Sequence, residues 1–285
     1  MSHLKVNQVK NVNQQYVSDM VAKSLAEDIH TGDISAQLIS PEKIFKVKVI
    51  TREDMVLCGS EWVKEVFLQI DKNIHLEWYY KDGDRLVSGS EIFLAEGSAQ
   101  SILSAERVAL NFLQMLSATA TKTANFISLI SHTNTKLLDT RKTIPMYREA
   151  QKYAVYCGGG MNHRSGLYDG FLIKENHINA IGSITKAIVA ARKLHPEKPI
   201  EVEVENIEEL KEALLANVDI IMLDNFTNKD KRYAVQLTDG RAMLEASGNV
   251  DEKSIVAVSE TGIDFISVGS LTKNVKAIDL SMRFV

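Results

Sequence analysis

At 285 residues the chain can hold one large domain or two medium ones, and its 33 basic against 37 acidic side chains leave a net charge of −4. That balance gives nucleic-acid binding no global electrostatic support, so cations that bind an anion must be gathered locally around a small ligand. Cys58 and Cys157 lie far apart with no CxxC and no cysteine/histidine ligand spacing; neither a disulfide framework nor a structural zinc site is indicated, and a reducing cytoplasm fits.

The N-terminal MSHLKVNQVKNVNQQYV lacks the apolar core of a signal peptide. No apolar run approaches the ~20 residues that span a bilayer, so a soluble, cytoplasmic protein with no membrane partner is expected. From Val12 to Asp28, Val17, Met20, Val21 and Leu25 recur at helical spacing and predict an amphipathic helix ending near HTGD. Phe45, Val47 and Val49 then alternate with Lys46 and Lys48, as in a half-buried strand, and the pattern returns at Leu76, Trp78 and Tyr80 and at Glu91 to Ala95. Turn residues at Asp82-Gly83-Asp84 and Ser88-Gly89 separate these runs, which predicts an antiparallel sheet with flanking helices. Gln100 to Ile130 carries no Pro or Gly and reads as one long bridging helix. Within it the Glu106-Arg107 pair is either an intrahelical ion pair or holds a functional cation.

After Thr135 strand candidates alternate with helices: Lys136 to Thr140, Gly170 to Lys174, Ile200 to Glu205, Asp219 to Asp224, Ala242 to Ser247 and Asp264 to Gly269. Asn206 with Glu209 reads as a capping box, Ser183 and Asp251 as N-caps, and Gly158 and Gly262 as helix stops. Such βα alternation calls for a parallel sheet whose right-handed crossovers curl it into an incomplete, six-stranded α/β barrel, with an open doubly wound sheet as the alternative. Ile278, Leu280, Met282 and Phe284 alternate with polar residues, so the last strand is expected to leave the barrel and join the N-terminal sheet. The predicted domains are therefore 1–116, an α/β sandwich joined by strand 277–285, and 117–276, the barrel with the active site.

A barrel places its chemistry at the C-terminal ends of its strands. Those ends carry Arg141 and Lys142, then Lys174, then Glu203 and Glu205, then Asp224 and Asn225, then Ser247-Gly248-Asn249, and finally Gly269-Ser270. Arg148, Lys152, His163 and Arg164 add charge around a triple glycine between the first two strands, and His177 follows the second. Cations on the first units, carboxylates on the middle ones and Gly/Ser loops on the last describe a ligand with an anionic head, a polyol or metal-linked middle and a phosphate tail. In Glu201-Val202-Glu203-Val204-Glu205 alternation puts three carboxylates on one side of a strand, and any that face the interior need cations, a metal or ligand hydroxyls.

The runs DTRKT at Asp139, CGGGMNHRSGLYD at Cys157, LIKENH at Leu172, EVEVEN at Glu201, LDN at Leu223, LEASGN at Leu244 and SVGSLTKN at Ser267 closely resemble the quinolinate phosphoribosyltransferase family. LAEDIHTGDIS at Leu25 and AERVALNFLQMLSATAT at Ala105 extend the resemblance over nearly the whole chain. It implies an α/β sandwich on an incomplete barrel, and a decarboxylating transfer of phosphoribose from phosphoribosyl pyrophosphate to quinolinate in NAD biosynthesis, with magnesium. It also implies a homodimer with shared active sites, with further assembly into a hexamer left open.

By the same resemblance Arg141, His163, Arg164 and Lys174 bind the dicarboxylate, together with Arg107 of the neighbouring subunit. Lys142 contacts the phosphoribosyl substrate, Glu203 and Asp224 stand near the ribose and metal, and Ser247, Gly248, Asn249, Gly269 and Ser270 hold the 5′-phosphate. The chain departs from the family where Asn249 replaces a second glycine and where Ile144 and Met146 replace the usual Thr and Gly after DTRK. Two other classes fit the same residues less well: a Schiff-base aldolase using Lys142 or Lys174, and a non-catalytic phosphometabolite-binding protein.

Overall fold

The computed structural model describes residues 8–285; the start of the stretch read for a signal-peptide core, residues 1–7, lies outside them. The chain divides into two compact units, one of Val9–Ala124, Glu149–Gly159 and Asn274–Val285, the other holding Asn125–Arg148 and Gly160–Lys273.

The first unit begins with helix α1 (Gln14–Ile29), started by Asn13, whose side chain accepts from the backbone N–H groups of Gln15 and Tyr16. Strands β1 (Ile44–Thr51), β2 (Met55–Val56), β3 (His75–Trp78), β4 (Arg85–Leu86) and β5 (Glu91–Ser98) follow, with α2 (Ser60–Ile70) between β2 and β3. The alternating residues form an antiparallel sheet in the order β12-β1-β5-β3, where β12 is Leu280–Phe284. Val47, Val49 and Thr51 point inward, and α2 buries Trp62, Val63, Val66 and Phe67. Burial of each large side chain contributes about 1.5–3 kcal/mol. Tyr80 falls outside β3, and β2 with β4 forms a two-residue ladder too short to show periodicity.

Helix α3 (Ala99–Leu129) runs for 31 residues as its unbroken pattern predicts. Its middle is rich in small and hydroxylated residues; Thr119, Thr121 and Thr123 donate back to the carbonyls of Met115, Ser117 and Thr119.

The second unit contains β6 (Lys136–Leu138), β7 (Phe171–Ile173), α5 (Glu175–Ile181), α6 (Ile184–Leu194), β8 (Ile200–Val204), α7 (Ile207–Leu215), β9 (Ile220–Asp224), α8 (Asn228–Thr238), β10 (Met243–Ser247), α9 (Ile255–Ser259), β11 (Phe265–Ser267) and α10 (Ser270–Lys273). Helix α4 (Arg148–Cys157) lies between β6 and β7 in sequence, but all of it after Arg148 belongs to the first unit. All five strand pairings are parallel, in the order β6-β11-β10-β9-β8-β7. The terminal strands do not pair, so the barrel is incomplete. The outer edge of β6 is occupied instead by a parallel bridge from Leu138 to Met161.

Caps behave largely as their chemistry dictates. Ser183 accepts from Lys186 N–H, Asn206 from Glu209 N–H, and the Glu209 carboxylate accepts from Glu205 N–H. Asp251 is displaced from the predicted role: it caps the turn before α9 by accepting from Lys253 and Ser254 N–H, and the N-cap position of α9 is Ser254. Among the described residues no helix is long and apolar enough to cross a membrane.

Candidate active site

The parallel strands of the second unit end on one side in the loops that carry the expected residues. Strand order places Arg141 and Lys142 after β6, Gly269-Ser270 after β11, Ser247-Gly248-Asn249 at β10, Asp224 at β9, Glu203 on β8 and Lys174 after β7. Ser247 stands in register with Asp224.

The shallow part of this end is a mixed-charge cluster. Lys174 Nζ donates to Glu203 Oε2, with the lysine side chain 44% and the glutamate 14% exposed. Asp224 lies alongside and accepts from the Asn225 side-chain amide at 3.0 Å. Burial raises the Asp224 carboxyl above its usual range and the Glu203 charge raises it further, while Lys174, Asn225 and Lys142 pull the other way. Four predicted residues thus share one electrostatic neighbourhood.

The loops are shaped by glycine where no side chain fits. A Cβ on Gly269 would stand 2.9 Å from Lys142 Cδ, so the absence of one lets the lysine stem pass. Lys142 is fixed at its backbone, its N–H donating to Thr140 Oγ1 and its carbonyl accepting from the Thr272 hydroxyl. Gly248 has φ +100°, and a Cβ there would meet Asn225 Oδ1 at 2.2 Å. Asn249 adopts φ 48°, a left-handed conformation that asparagine tolerates.

Beside these loops lies a pair of guanidinium groups. Arg164 donates to the Gly170 carbonyl at 3.2 Å, and its ionisation is depressed first by burial and then by the like charge of Arg141, with Glu201 and Asp169 opposing. Arg141 Nε is buried with no hydrogen-bond partner among the described residues. A buried donor without an acceptor costs about 1–3 kcal/mol, and an incoming anion removes that penalty. Arg148 braces the cluster, reaching Thr143 Oγ1, the Ser165 carbonyl and the Arg141 carbonyl.

His163 sits deeper. Its Nδ1 accepts from Arg164 N–H at 2.7 Å, and its Nε2 lies 3.0 Å from Glu201 Oε2 and 3.6 Å from Glu245 Oε2. This geometry assigns the proton to Nε2 and engages both ring nitrogens inside the protein. Below it Asp139, fully buried, accepts from His163 N–H and from the Asn162 side chain. Burial pushes the Glu245 carboxyl up to about 8, Glu201 adds to the rise, and His163 and the Ser267 hydroxyl oppose it. Glu245 is therefore harder to ionise than an ordinary glutamate.

Sequence reasoning found Glu201 as one of an alternating row but missed Glu245, Asp139 and the bracing role of Arg148. The signal for Glu245 was a single acid within the apolar strand MLEAS, where an unpaired charge is costly. Arg107 lies on α3 in the other unit, exposed and without an ion-pair partner among the described residues, so of the two readings the pair with Glu106 is not formed. A cavity of about 690 Å³ opens elsewhere, at the N-terminal ends of β9 to β11. Its acids are strand clamps: Asp219 accepts from Ile200 N–H and Arg192, and Asp264 from Leu244 N–H. The cation cluster, not this cavity, is the candidate site.

The family model for the quinolinate phosphoribosyl transferase N-terminal domain matches residues 33–117, and that for its C-terminal domain matches 119–283. A probable nicotinate-nucleotide pyrophosphorylase [carboxylating] of Bacillus subtilis is 40% identical over 272 residues, covering 95% of this chain and 94% of the relative. A nicotinate-nucleotide pyrophosphorylase [carboxylating] of Mycobacterium leprae is 37% identical, with 93% and 95% covered. Among solved structures, the nicotinate-nucleotide pyrophosphorylase from Francisella tularensis superposes with a TM-score of 0.96 at 53% identity, over 98% of this chain and 99% of that one. With both domains matched and relatives aligned end to end, the chain belongs to the quinolinate phosphoribosyltransferase family.

Proposed function

We propose that the chain transfers the phosphoribosyl group of phosphoribosyl pyrophosphate to quinolinate and releases carbon dioxide, yielding nicotinate mononucleotide and pyrophosphate for NAD biosynthesis. The observation that carries this reading is the half-buried Arg141/Arg164 pair, two like charges with a buried unpartnered donor, which suits a ligand bearing two adjacent carboxylates. Quinolinate is a dianion that must approach an already polyanionic sugar. Clustered arginines offset that repulsion and hold the ring nitrogen toward C1.

The ring nitrogen attacks C1, the C1–oxygen bond breaks, and pyrophosphate leaves with the bonding pair. Glu203 and Asp224 face the positive charge that develops on the ribose, and Lys142 and Lys174 balance those acids. Lys142 also suits contact with the phosphoribosyl substrate, and the Ser247-Gly248-Asn249 and Gly269-Ser270 loops suit the 5′-phosphate. Once alkylated, the ring nitrogen is an electron sink; the bond to the adjacent carboxylate breaks, carbon dioxide departs, and the ring carbon takes a proton.

The acids also suit a magnesium site, since Asp224 and Glu203 are neighbouring carboxylates whose shared negative charge a cation would relieve. Magnesium, when bound with the pyrophosphate, stabilises the leaving group. Cytoplasmic location and a homodimer with shared sites belong to the same reading, the dimer supported by the exposed, unpaired Arg107. Mixing Arg107→Ala with Lys174→Ala subunits restores activity in part of the heterodimers, because one site then keeps both residues; no recovery despite demonstrated subunit exchange contradicts sharing. The reaction itself is tested by following labelled carbon dioxide from the 2-carboxyl of quinolinate. Release that depends on phosphoribosyl pyrophosphate supports the proposal, and its absence from folded protein refutes it.

A further inference from the structure

The fold joins two cysteines that the sequence keeps apart. Cys58, wholly buried between β2 and α2, meets Cys157 at the end of α4 and Asp82 in the turn between β3 and β4. One ligand-type atom from each, two thiol sulfurs and a carboxylate oxygen, lies within 4.8 Å of the others. Zinc–sulfur bonds of about 2.3 Å in a tetrahedral site set the sulfurs roughly 3.8 Å apart, so side-chain adjustments of the order of 1 Å bring all three onto one ion.

Each group is held by a different segment of the first unit. The Ser117 hydroxyl accepts from Cys58 N–H at 3.0 Å and donates to its carbonyl at 3.1 Å. Asp82 accepts from Gly59 and Ser60 N–H at 3.0 and 3.1 Å, leaving carboxylate lone pairs for another partner. Tyr153, one helical turn before Cys157, donates its hydroxyl to Asp82 Oδ2 at 3.1 Å. Gly158 fixes the exit of α4: a Cβ there would stand 2.4 Å from the Ala120 carbonyl oxygen. Two thiols filling a core gap beside a helix-capping aspartate would account for the packing alone. They would not of themselves bring a carboxylate oxygen and two sulfurs within 4.8 Å of one another.

We propose that Cys58, Cys157 and Asp82 form a binding site for a thiophilic divalent cation of the zinc class, with Tyr153 orienting the carboxylate and a fourth position for water. Soft sulfur ligands select such an ion over magnesium. The half-buried Cys157 side is the route of entry.

The test uses the full-length protein, stripped of metal by a chelator and kept reduced with a non-thiol reductant. Titration with Cd²⁺ in excess Mg²⁺ is expected to give a thiolate-to-cadmium absorption band that saturates at one equivalent, and Co²⁺ is expected to give the intense visible bands of tetrahedral geometry. Cys157→Ser and Asp82→Asn lose the stoichiometric band, whereas Tyr153→Phe keeps it with affinity lower by about 10- to 100-fold, as for other groups that orient a ligand. Since Cys58 is buried, Cys157→Ser carries the test, with circular dichroism verifying its fold. No band in the wild type, or an equal band in folded Cys157→Ser, overturns the site.

Discussion

Glu201 and Glu203 stand two residues apart on one side of β8, yet the protein treats them in opposite ways. Glu201, its side chain 6% exposed, is closed in with His163 and with Glu245, whose carboxyl burial holds above its usual range. Glu203 meets the half-exposed Lys174 and the Asp224 carboxyl at the mouth of the strands. The deep layer is nearly closed to solvent, so its groups meet one another: His163 Nε2 lies against Glu201, and burial holds the Glu245 carboxyl above its usual range. The shallow layer is balanced by the exposed Lys174, which pairs with Glu203, and by Lys142. Depth along a single strand thus separates a scaffold from chemistry, and the separation can be broken at either level.

At the shallow level Asp224→Asn removes the charge that the proposed reaction sets against the positive ribose. Turnover is expected to fall by about 100-fold or more while quinolinate affinity changes only a few-fold, as steady-state kinetics with each substrate varied will read. A large loss of quinolinate affinity at unchanged turnover would move Asp224 to the other substrate.

At the deep level Glu245→Gln keeps the shape and removes the titration. With its folded pKa near 8 and an unfolded value near 4.3, Glu245 holds in the folded state a proton that the unfolded chain releases. Its contribution is therefore fully present below about pH 4 and is lost as pH rises toward 8. Relative to wild type, Glu245→Gln should gain stability over that window, by at most about 1.4 kcal/mol per pH unit, in urea unfolding at pH 5 and pH 8. A pH-independent difference would mean that Glu245 is ionised in the folded protein.

The smallest effect is expected in the loop leading into α4. Met146, exposed, has φ 63°. Met146→Gly relieves a left-handed conformation worth about 1–2 kcal/mol but makes the unfolded chain more flexible, so a net gain below about 1 kcal/mol is expected from thermal unfolding. A clear destabilisation would show that the methionine side chain holds the loop.

The shallow layer was legible in the sequence because parallel strands put their last residues at one end, so Lys174, Asp224 and Ser247 could be gathered from the βα alternation alone. The open, six-stranded sheet and the long α3 followed from the same periodicity. The deep layer was less legible: Glu245 comes from β10 and His163 from the loop after the triple glycine, and only the folded chain shows that both meet Glu201. Cys58 and Cys157 were hidden for the same reason, since sequence separation carries no signal of a tertiary approach. Backbone strain is likewise silent: the positive φ of Met146 and Asn249 shows only in the folded chain.

The central claim is that the Arg141/Arg164 pair reads two adjacent carboxylates, and competitive inhibition by phthalate and nicotinate at fixed phosphoribosyl pyrophosphate tests it most directly. Phthalate keeps both carboxylates without the ring nitrogen, so it should bind well and not react. Nicotinate leaves one buried cation unmatched, a deficit of about 2–5 kcal/mol that water entering the vacated space softens, so it should bind at least about 30-fold more weakly than quinolinate. Nicotinate binding as tightly as quinolinate, and itself converted to the mononucleotide, would contradict the dicarboxylate reading and make the chain a nicotinate phosphoribosyltransferase.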